Sequence, residues 1–326
     1  MDLKRRNFLV GAAVAATAVQ TATAAAAASV TVPASTDATT AAANLEVINL
    51  WPGSPPGGAG PSDSESLTRR GALTQISLPR MIVHHPDKPT GTAMLMCSGG
   101  GYAKVDIVNE STPAAIYFAS RGITAIELVY RVPQEGWSIH APFLDGIRAM
   151  KILHANAARL KIDPTRLGVM GFSAGGHLAG MIATGAAQDL YVPTDDIDNA
   201  SAKAAFATLL YPVVTMMAPF DQTMSRLKIC GKQPAQDLRE EFSVEKHVSK
   251  DTPPTFIAHA VDDPIVPVDH SLMLFQALRT YKVDTEIHIY QSGGHGWGMG
   301  KSRPQVRSWA QLVETWLRVN GMLSTV

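Results

Sequence analysis

The sequence predicts an α/β fold, a mostly parallel central sheet with helices on both faces. Three observations predict it. Short apolar runs alternate with stretches of helical periodicity from about Leu45 to Val319. Some of those runs are apolar throughout, as strands buried on both faces must be. Loops rich in glycine or aspartate follow directly on such runs, where parallel strands present ligands at their carboxyl ends. With 326 residues, 46% hydrophobic and 17% charged, the chain has apolar material for a large core and too little charge for disorder. Lys+Arg and Asp+Glu both number 28, so no basic stripe points to nucleic acid as a partner.

The N-terminus reads as a targeting signal. Lys4, Arg5 and Arg6 precede Asn7-Phe8-Leu9, a weakly apolar run from Val10 to Val19 and an Ala-rich stretch to Ala28. The arginine pair followed by x-Phe-Leu resembles a twin-arginine export signal, which makes that export machinery an expected partner and the periplasm or the exterior the expected location. The apolar run falls short of the roughly 20 residues a membrane span needs, so no stable membrane insertion is expected after processing. Residues 1–28 are therefore assigned as signal. Residues 29–44, Ala, Thr, Ser and Pro without periodicity, read as a flexible leader, and 45–326 as one domain.

Within that domain Leu45–Trp51 is a short apolar segment and Pro52–Pro61 a Pro/Gly-rich loop. Ala93–Cys97 (AMLMC) has the unbroken apolar character of a doubly buried strand. Helical material around Thr112–Ser120 and a strand over Ile123–Tyr130 follow. Phe143, Ile147, Met150, Leu153 and Ala157 recur at helical spacing and mark an amphipathic helix. Asp163-Pro164 ends it, and a strand begins over Leu167–Met170. The alternation continues with helix Ala174–Thr184, strands Phe206–Pro212 and Thr255–Ala260, helix Leu272–Thr280, strand Glu286–Tyr290 and a closing helix Gln305–Val319. Val214–Val248 breaks the rhythm and reads as a cap-like insertion. Cys97 ends an apolar run and is expected to be a small buried residue, and no bridge to Cys230 is expected, since two cysteines make no disulfide framework.

The strongest chemical signal is Gly171-Phe172-Ser173-Ala174-Gly175-Gly176, set between a strand and a helix. This is the context of a nucleophile elbow, where glycines flank a serine on a turn too tight for side chains on both sides. A serine hydroxyl needs a base to take its proton, and the base needs an orienting carboxylate. Two later loops supply them, each directly after a strand: Val261-Asp262-Asp263-Pro264 and Gly293-Gly294-His295-Gly296-Trp297. His295 is the candidate base. Asp262 and Asp263 compete for the carboxylate, and the spacing to the Pro-Ile-Val-Pro turn favours Asp263. His177, one turn after Ser173, reads as a brace behind the elbow, and His259 as support for the Asp263 loop. Acyl transfer also needs donors for an oxyanion. Cys97-Ser98-Gly99-Gly100-Gly101-Tyr102 offers backbone amides, and Gly100 and Gly101 with Ala174 are the candidates, the choice among the three glycines staying open. Tyr102 and Trp297 flank these loops and are candidate substrate contacts, with plain packing as the alternative for each. The histidines are scattered, with no pair spaced beside acids as metal ligands, so neither metal nor organic cofactor is expected.

Taken together, SGGGY (Ser98–Tyr102), YRVP (Tyr130–Pro133), GVMGFSAGGHLA (Gly168–Ala179), DDPIVPVDHS (Asp262–Ser271) and GGHGWG (Gly293–Gly298) resemble acetyl-esterase-type α/β-hydrolases. These are relatives of the hormone-sensitive-lipase group that include acetylxylan esterase-like proteins. The resemblance covers about Leu45–Val319 and implies a cofactor-free serine esterase removing short acyl groups, acetyl above all, from carbohydrate esters such as acetylated xylan fragments. Two departures stand out. Ser98 replaces the His or Pro of relatives, and Asn109-Glu110-Ser111 stands where many carry a Glu-Gly pair. Alternatives are a broad carboxylesterase or serine peptidase on the same triad, and, in another class, an inactive binding protein on the same scaffold. Glycoside hydrolysis would need two facing carboxylates, and the motif-rich loops contain one triad carboxylate with a Ser and a His.

Overall fold

Unbroken apolar runs become the centre of a sheet and alternating ones its margin. The computed structural model describes residues 45–133, 136–186 and 193–324. The chain divides into residues 1–39 and residues 40–326, and every described residue falls in the second unit. The assigned signal and leader, 1–28 and 29–44, lie outside the described residues. The strands are β1 (Leu45–Asn49), β2 (Ser66–Leu67), β3 (Leu73–Thr74), β4 (Arg80–His84), β5 (Ala93–Cys97), β6 (Thr124–Val129), β7 (Leu167–Phe172), β8 (Ala207–Leu210), β9 (Thr255–Ala260) and β10 (Thr285–Tyr290). Eight of them form one sheet in the order β1-β4-β6-β5-β7-β8-β9-β10, while β2 and β3 pair apart. Pairing is antiparallel from β1 through β4 to β6 and parallel from β6 to β10. β5 to β9 are buried at every residue, whereas β1 alternates exposed and half-buried at one edge.

The helices are α1 (Ser111–Ala119), α2 (Ala141–Ala155), α3 (Ala174–Ala183), α4 (Met224–Cys230), α5 (Gln236–Glu241), α6 (Asp269–Thr280) and α7 (Trp309–Val319). Successive strand residues point to opposite faces, so each central strand feeds two cores. Ala93, Leu95, Cys97, Leu167 and Val169 share one with α2, α3 and α6, while Met94, Met96, Met170 and Phe172 share the other with α1 and α7. This is an α/β-hydrolase fold.

The chain runs from β5 outward to β6 through α1 and back across β5 to β7 through α2. The strand order therefore reverses between β5 and β7. Their carboxyl ends flank the crevice where an open α/β sheet receives ligands. The Gly-rich loop after Cys97 and the turn at Ser173 both start there.

Three details differ from the sequence pattern. Arg80–His84 is a strand that the pattern does not announce, because its apolar run, Met81-Ile82-Val83, is short and bounded by Arg80 and His84. The closing helix starts at Trp309 instead of Gln305, since Pro304–Val306 first makes a 3-10 turn. The helix expected from Leu272 already begins at Asp269. Cys97 and Cys230 are buried free thiols. Val214–Val248, between β8 and β9, contains α4, α5 and a 3-10 turn at Val244–Lys246. It is stitched to the layer below. The Val214 and Thr215 amides donate to His270 Nδ1 at 3.0 and 3.2 Å, and the Phe242 carbonyl accepts from His177 Nε2 at 2.7 Å. No helix among the described residues is long and apolar enough to cross a membrane.

Candidate active site

β7 ends at Phe172 and α3 begins at Ala174, so Ser173 alone makes the turn. Its φ of 53° lies in the left-handed region, where a side chain is strained. The flanking glycines follow from the tightness of the turn. A Cβ on Gly171 would stand 2.1 Å from the Gly175 carbonyl oxygen, and one on Gly175 would stand 2.0 Å from that of Cys97. The loop after β5 presses on the serine as well, since a Cβ on Gly99 would meet the Ser173 Cβ at 2.9 Å. The first turn of α3 brings its unpaired amides and partial positive charge to this point.

The loops after β9 and β10 bring Asp263 and His295 to the serine. The Ser173 hydroxyl donates to His295 Nε2 at 2.8 Å, and His295 Nδ1–H donates to Asp263 Oδ2 at 2.6 Å. Asp263 also accepts from the Ile265 and Val266 amides at 2.8 and 2.9 Å and from His259 Nε2 at 3.2 Å. Burial opposes its charge, yet the bonds from His259, His295 and Val266 win and hold its carboxyl well below the usual carboxylate range. Asp263 is thus an ionised acceptor that fixes the imidazole tautomer. Asp262 turns the other way, and its Oδ1 accepts the Gly293 and Gly294 amides at 2.8 and 2.7 Å. It braces the loop that carries His295 and does not touch the ring. Behind the elbow, His177 accepts from the Tyr102 hydroxyl at 2.8 Å and donates to Phe242, and burial pushes its pKa down to about 4.

The three glycines of the loop after β5 are not equivalent. The Gly99 amide donates to Glu110 Oε2 at 2.5 Å and is spent. The amides of Gly100, Gly101 and Ala174 have no protein acceptor among the described residues. Gly100 and Gly101 have φ of 129° and 65°, and a Cβ on Gly100 would stand 2.2 Å from the Lys104 carbonyl oxygen. The insertion reaches this loop through Met224, whose Cγ would lie 2.9 Å from a Cβ on Gly101 and whose side chain is otherwise half exposed.

The two aromatic candidates for substrate contact need correction. Tyr102 is fully buried, with φ of 56° turning it into the core against Tyr130 and Phe143. Trp297 is buried too, packed edge-on to Tyr211 and Tyr290 at 4.5 and 6.0 Å between ring centroids. Neither offers a ring face to a sugar. Sequence reasoning missed Met224 and Tyr211, and noted Glu110 only as a departure from relatives. Their signals, an apolar residue in an insertion, a strand-end tyrosine and an acid before a helix, are too common to single them out. Among the described residues no three His, Cys, Asp or Glu side chains gather as metal ligands. What the arrangement offers is a strained hydroxyl hydrogen-bonded to an imidazole, an ionised carboxylate behind the imidazole, and unspent amides beside the hydroxyl. That is equipment for acyl transfer.

Comparison with known proteins agrees. The BD-FAE family model matches residues 82–278. The chain is 31% identical over 225 residues to an acetylxylan esterase of Xylanibacter ruminicola, covering 68% of this chain and 44% of that protein. It is 32% identical over 214 residues to endo-1,4-beta-xylanase B of Butyrivibrio fibrisolvens, covering 65% and 33%. The chain thus spans less than half the length of either relative. Among solved structures, an acetyl ester-xyloside bifunctional hydrolase from Caldicellulosiruptor lactoaceticus superposes with a TM-score of 0.73 at 31% identity, over 86% of this chain and 97% of that one. A Lactobacillus plantarum carboxylesterase, at 22% identity and a TM-score of 0.66 over 81% and 100%, shares the fold. With the family match running from β4 into α6 over more than half of its length, the chain belongs to the BD-FAE family.

Proposed function

We propose that this protein is a serine carboxylic-ester hydrolase that removes short acyl groups, acetyl above all, from carbohydrate esters such as acetylated xylan fragments. The observation that carries the reading is the unbroken chain of hydrogen bonds from Ser173 through His295 to Asp263, beside backbone amides with no protein acceptor. In the first step the Ser173 Oγ attacks the acyl carbon while its proton passes to His295 Nε2, and the oxyanion is held by the Gly100, Gly101 and Ala174 amides. His295 then returns that proton to the departing sugar oxygen, leaving an acyl-serine. A water gives a proton to the same nitrogen, attacks the acyl carbon and releases the acid, and Ser173 regains its hydrogen. Asp263 holds the imidazolium throughout and takes no proton.

Two points support acetyl on a sugar. Proteins similar to this chain include an acetylxylan esterase and an acetyl ester-xyloside bifunctional hydrolase, and Met224 stands against Gly101, where it narrows the space beside the oxyanion loop. Residues 45–326 are taken as one catalytic domain. Export supports the same substrate, because polysaccharide fragments are met outside the cytoplasm. The Lys4-Arg5-Arg6 signal is read as twin-arginine type, cleaved near residue 28 and delivering the folded enzyme to the periplasm or beyond. The test is a matched series of acetyl, butyryl and octanoyl esters followed by acetylated xylo-oligosaccharide. Acetyl should turn over fastest and acetate should leave the sugar. Faster octanoyl turnover, or no acetate from the oligosaccharide, overturns the substrate assignment.

A further inference from the structure

One buried carboxylate at the site has no part in that chemistry. Glu110 is 5% exposed at the N-cap of α1, and its two oxygens serve two different loops. Oε2 accepts the Gly99 amide at 2.5 Å, one residue before the oxyanion glycines. Oε1 accepts the hydroxyl of Tyr211, just past β8, at 3.0 Å. The Tyr211 oxygen in turn accepts the Gly298 amide at 3.2 Å, in the loop that carries His295. The Tyr211 ring stands edge-on to His295 and Trp297, with centroids 5.0 and 4.5 Å apart. Backbones close the gap from the other side, since a Cβ on Gly298 would lie 2.1 Å from the Asn109 carbonyl oxygen.

We infer that Glu110 is a positioning residue for hydrolysis, tying the oxyanion loop through Gly99 and the His295 loop through Tyr211 so that donors and base stand at a fixed separation around Ser173. The inference rests on the reading of Ser173 as nucleophile. A purely stabilising role explains the residue poorly. A buried carboxyl group is costly to desolvate whether charged or protonated, and apolar side chains of similar volume often serve stability as well or better. Burial pushes the Glu110 pKa up to about 8. What an apolar side chain cannot do is receive two donors from two separate loops at once. Such fixing matters to rate, because misplacement of a reacting group by about 1 Å can cost about 10²-fold.

The experiment compares Glu110→Ala, Glu110→Gln and Tyr211→Phe in the full chain, measuring kcat and KM on an acetyl ester per site titrated with a fluorophosphonate, and the labelling rate of Ser173. Glu110→Ala should lower kcat about 10²-fold with KM within about threefold, and slow the labelling in step. Glu110→Gln, which keeps an acceptor for Gly99 and reaches Tyr211, should recover most of that loss. Tyr211→Phe cuts only the link to the His295 loop and should lower kcat about tenfold. Adding Tyr211→Phe to Glu110→Ala should cost little more, since the tyrosine acts through the carboxylate. Unchanged kcat per titrated site in Glu110→Ala overturns the inference. If that variant does not fold, Tyr211→Phe decides, with unchanged kcat overturning it and a fall at constant KM supporting it. A wild type without esterase activity, or an active Ser173→Ala, would overturn the underlying reading instead.

Discussion

The two sides of the site are held by different physics. The Ser173 elbow is held by contact, because Gly171 and Gly175 admit no Cβ without driving it into backbone at 2.1 and 2.0 Å. The loop from Gly293 to Gly300 is held mainly by hydrogen bonds, with one close backbone approach where a Cβ on Gly298 would lie 2.1 Å from the Asn109 carbonyl oxygen. Gly294, Gly296, Gly298 and Gly300 all have positive φ, and a Cβ on Gly296 would meet nothing within 4 Å. Asp262 clamps the first two amides, Arg303 donates to the Gly293 carbonyl, and the Gly298 carbonyl accepts from the Trp309 indole at 2.9 Å. Ser173 is fixed by steric closure at the sheet centre, where backbone crowds Gly171 and Gly175. A base delivered from an edge strand has fewer neighbours and depends on side chains reaching in.

That contrast makes the elbow intolerant as structure and the histidine loop sensitive as chemistry. Gly175→Ala should have the largest effect, since no rotamer relieves a clash with a carbonyl oxygen. A loss of about 3 kcal/mol or more is expected, read as a fall in urea midpoint or failure to fold. Asp263→Asn should retain the Tm within a few degrees and lower kcat by about 10⁴, because the amide favours the wrong imidazole tautomer. Asp262→Ala should cost about ten- to a hundredfold in kcat at near-normal stability, through a looser His295 loop. Normal stability in Gly175→Ala, or a larger kcat loss in Asp262→Ala than in Asp263→Asn, would break the comparison.

Much of this was legible in the sequence, and what was not has a common cause. The unbroken apolar runs of β5 and β7 and the glycines around Ser173 declare themselves locally. Asp263 and His295 are readable because each sits directly after a strand that must end at the same edge. Glu110 is not, because its partner Tyr211 is 101 positions away and only the sheet order brings them together. Tyr102 shows the converse error. It adjoins Gly100 and Gly101 in sequence, but a φ of 56° sends its side chain into the core. Adjacency along a loop with left-handed residues says little about direction. Met224 arrives from an insertion without periodicity, so nothing in its own segment tells where it docks.

A smaller effect follows from the buried titratable groups. Glu110, raised from 4.5 to about 8 by burial, keeps its proton in the folded chain while the unfolded chain has released it. Stability from this group is therefore complete below about 4.5 and declines as pH rises toward about 8. His177 and His270, lowered by burial from 6.5 to about 4, act in the opposite sense and favour folding above about 6.5. The wild-type Tm should accordingly fall between about pH 6.5 and 8, and Glu110→Gln, which cannot ionise, should show a shallower fall. Identical slopes would mean that Glu110 is already ionised in the folded protein near neutral pH.

The most direct test of the central claim is the mass of the protein and its acetate release, followed together during titration with a fluorophosphonate. One adduct per chain, mapped to the peptide holding Ser173, should appear in proportion to the loss of acetate release from acetylated xylo-oligosaccharide. Adducts should be absent from Ser173→Ala. Full acetate release from a protein whose Ser173 is entirely labelled would contradict the account.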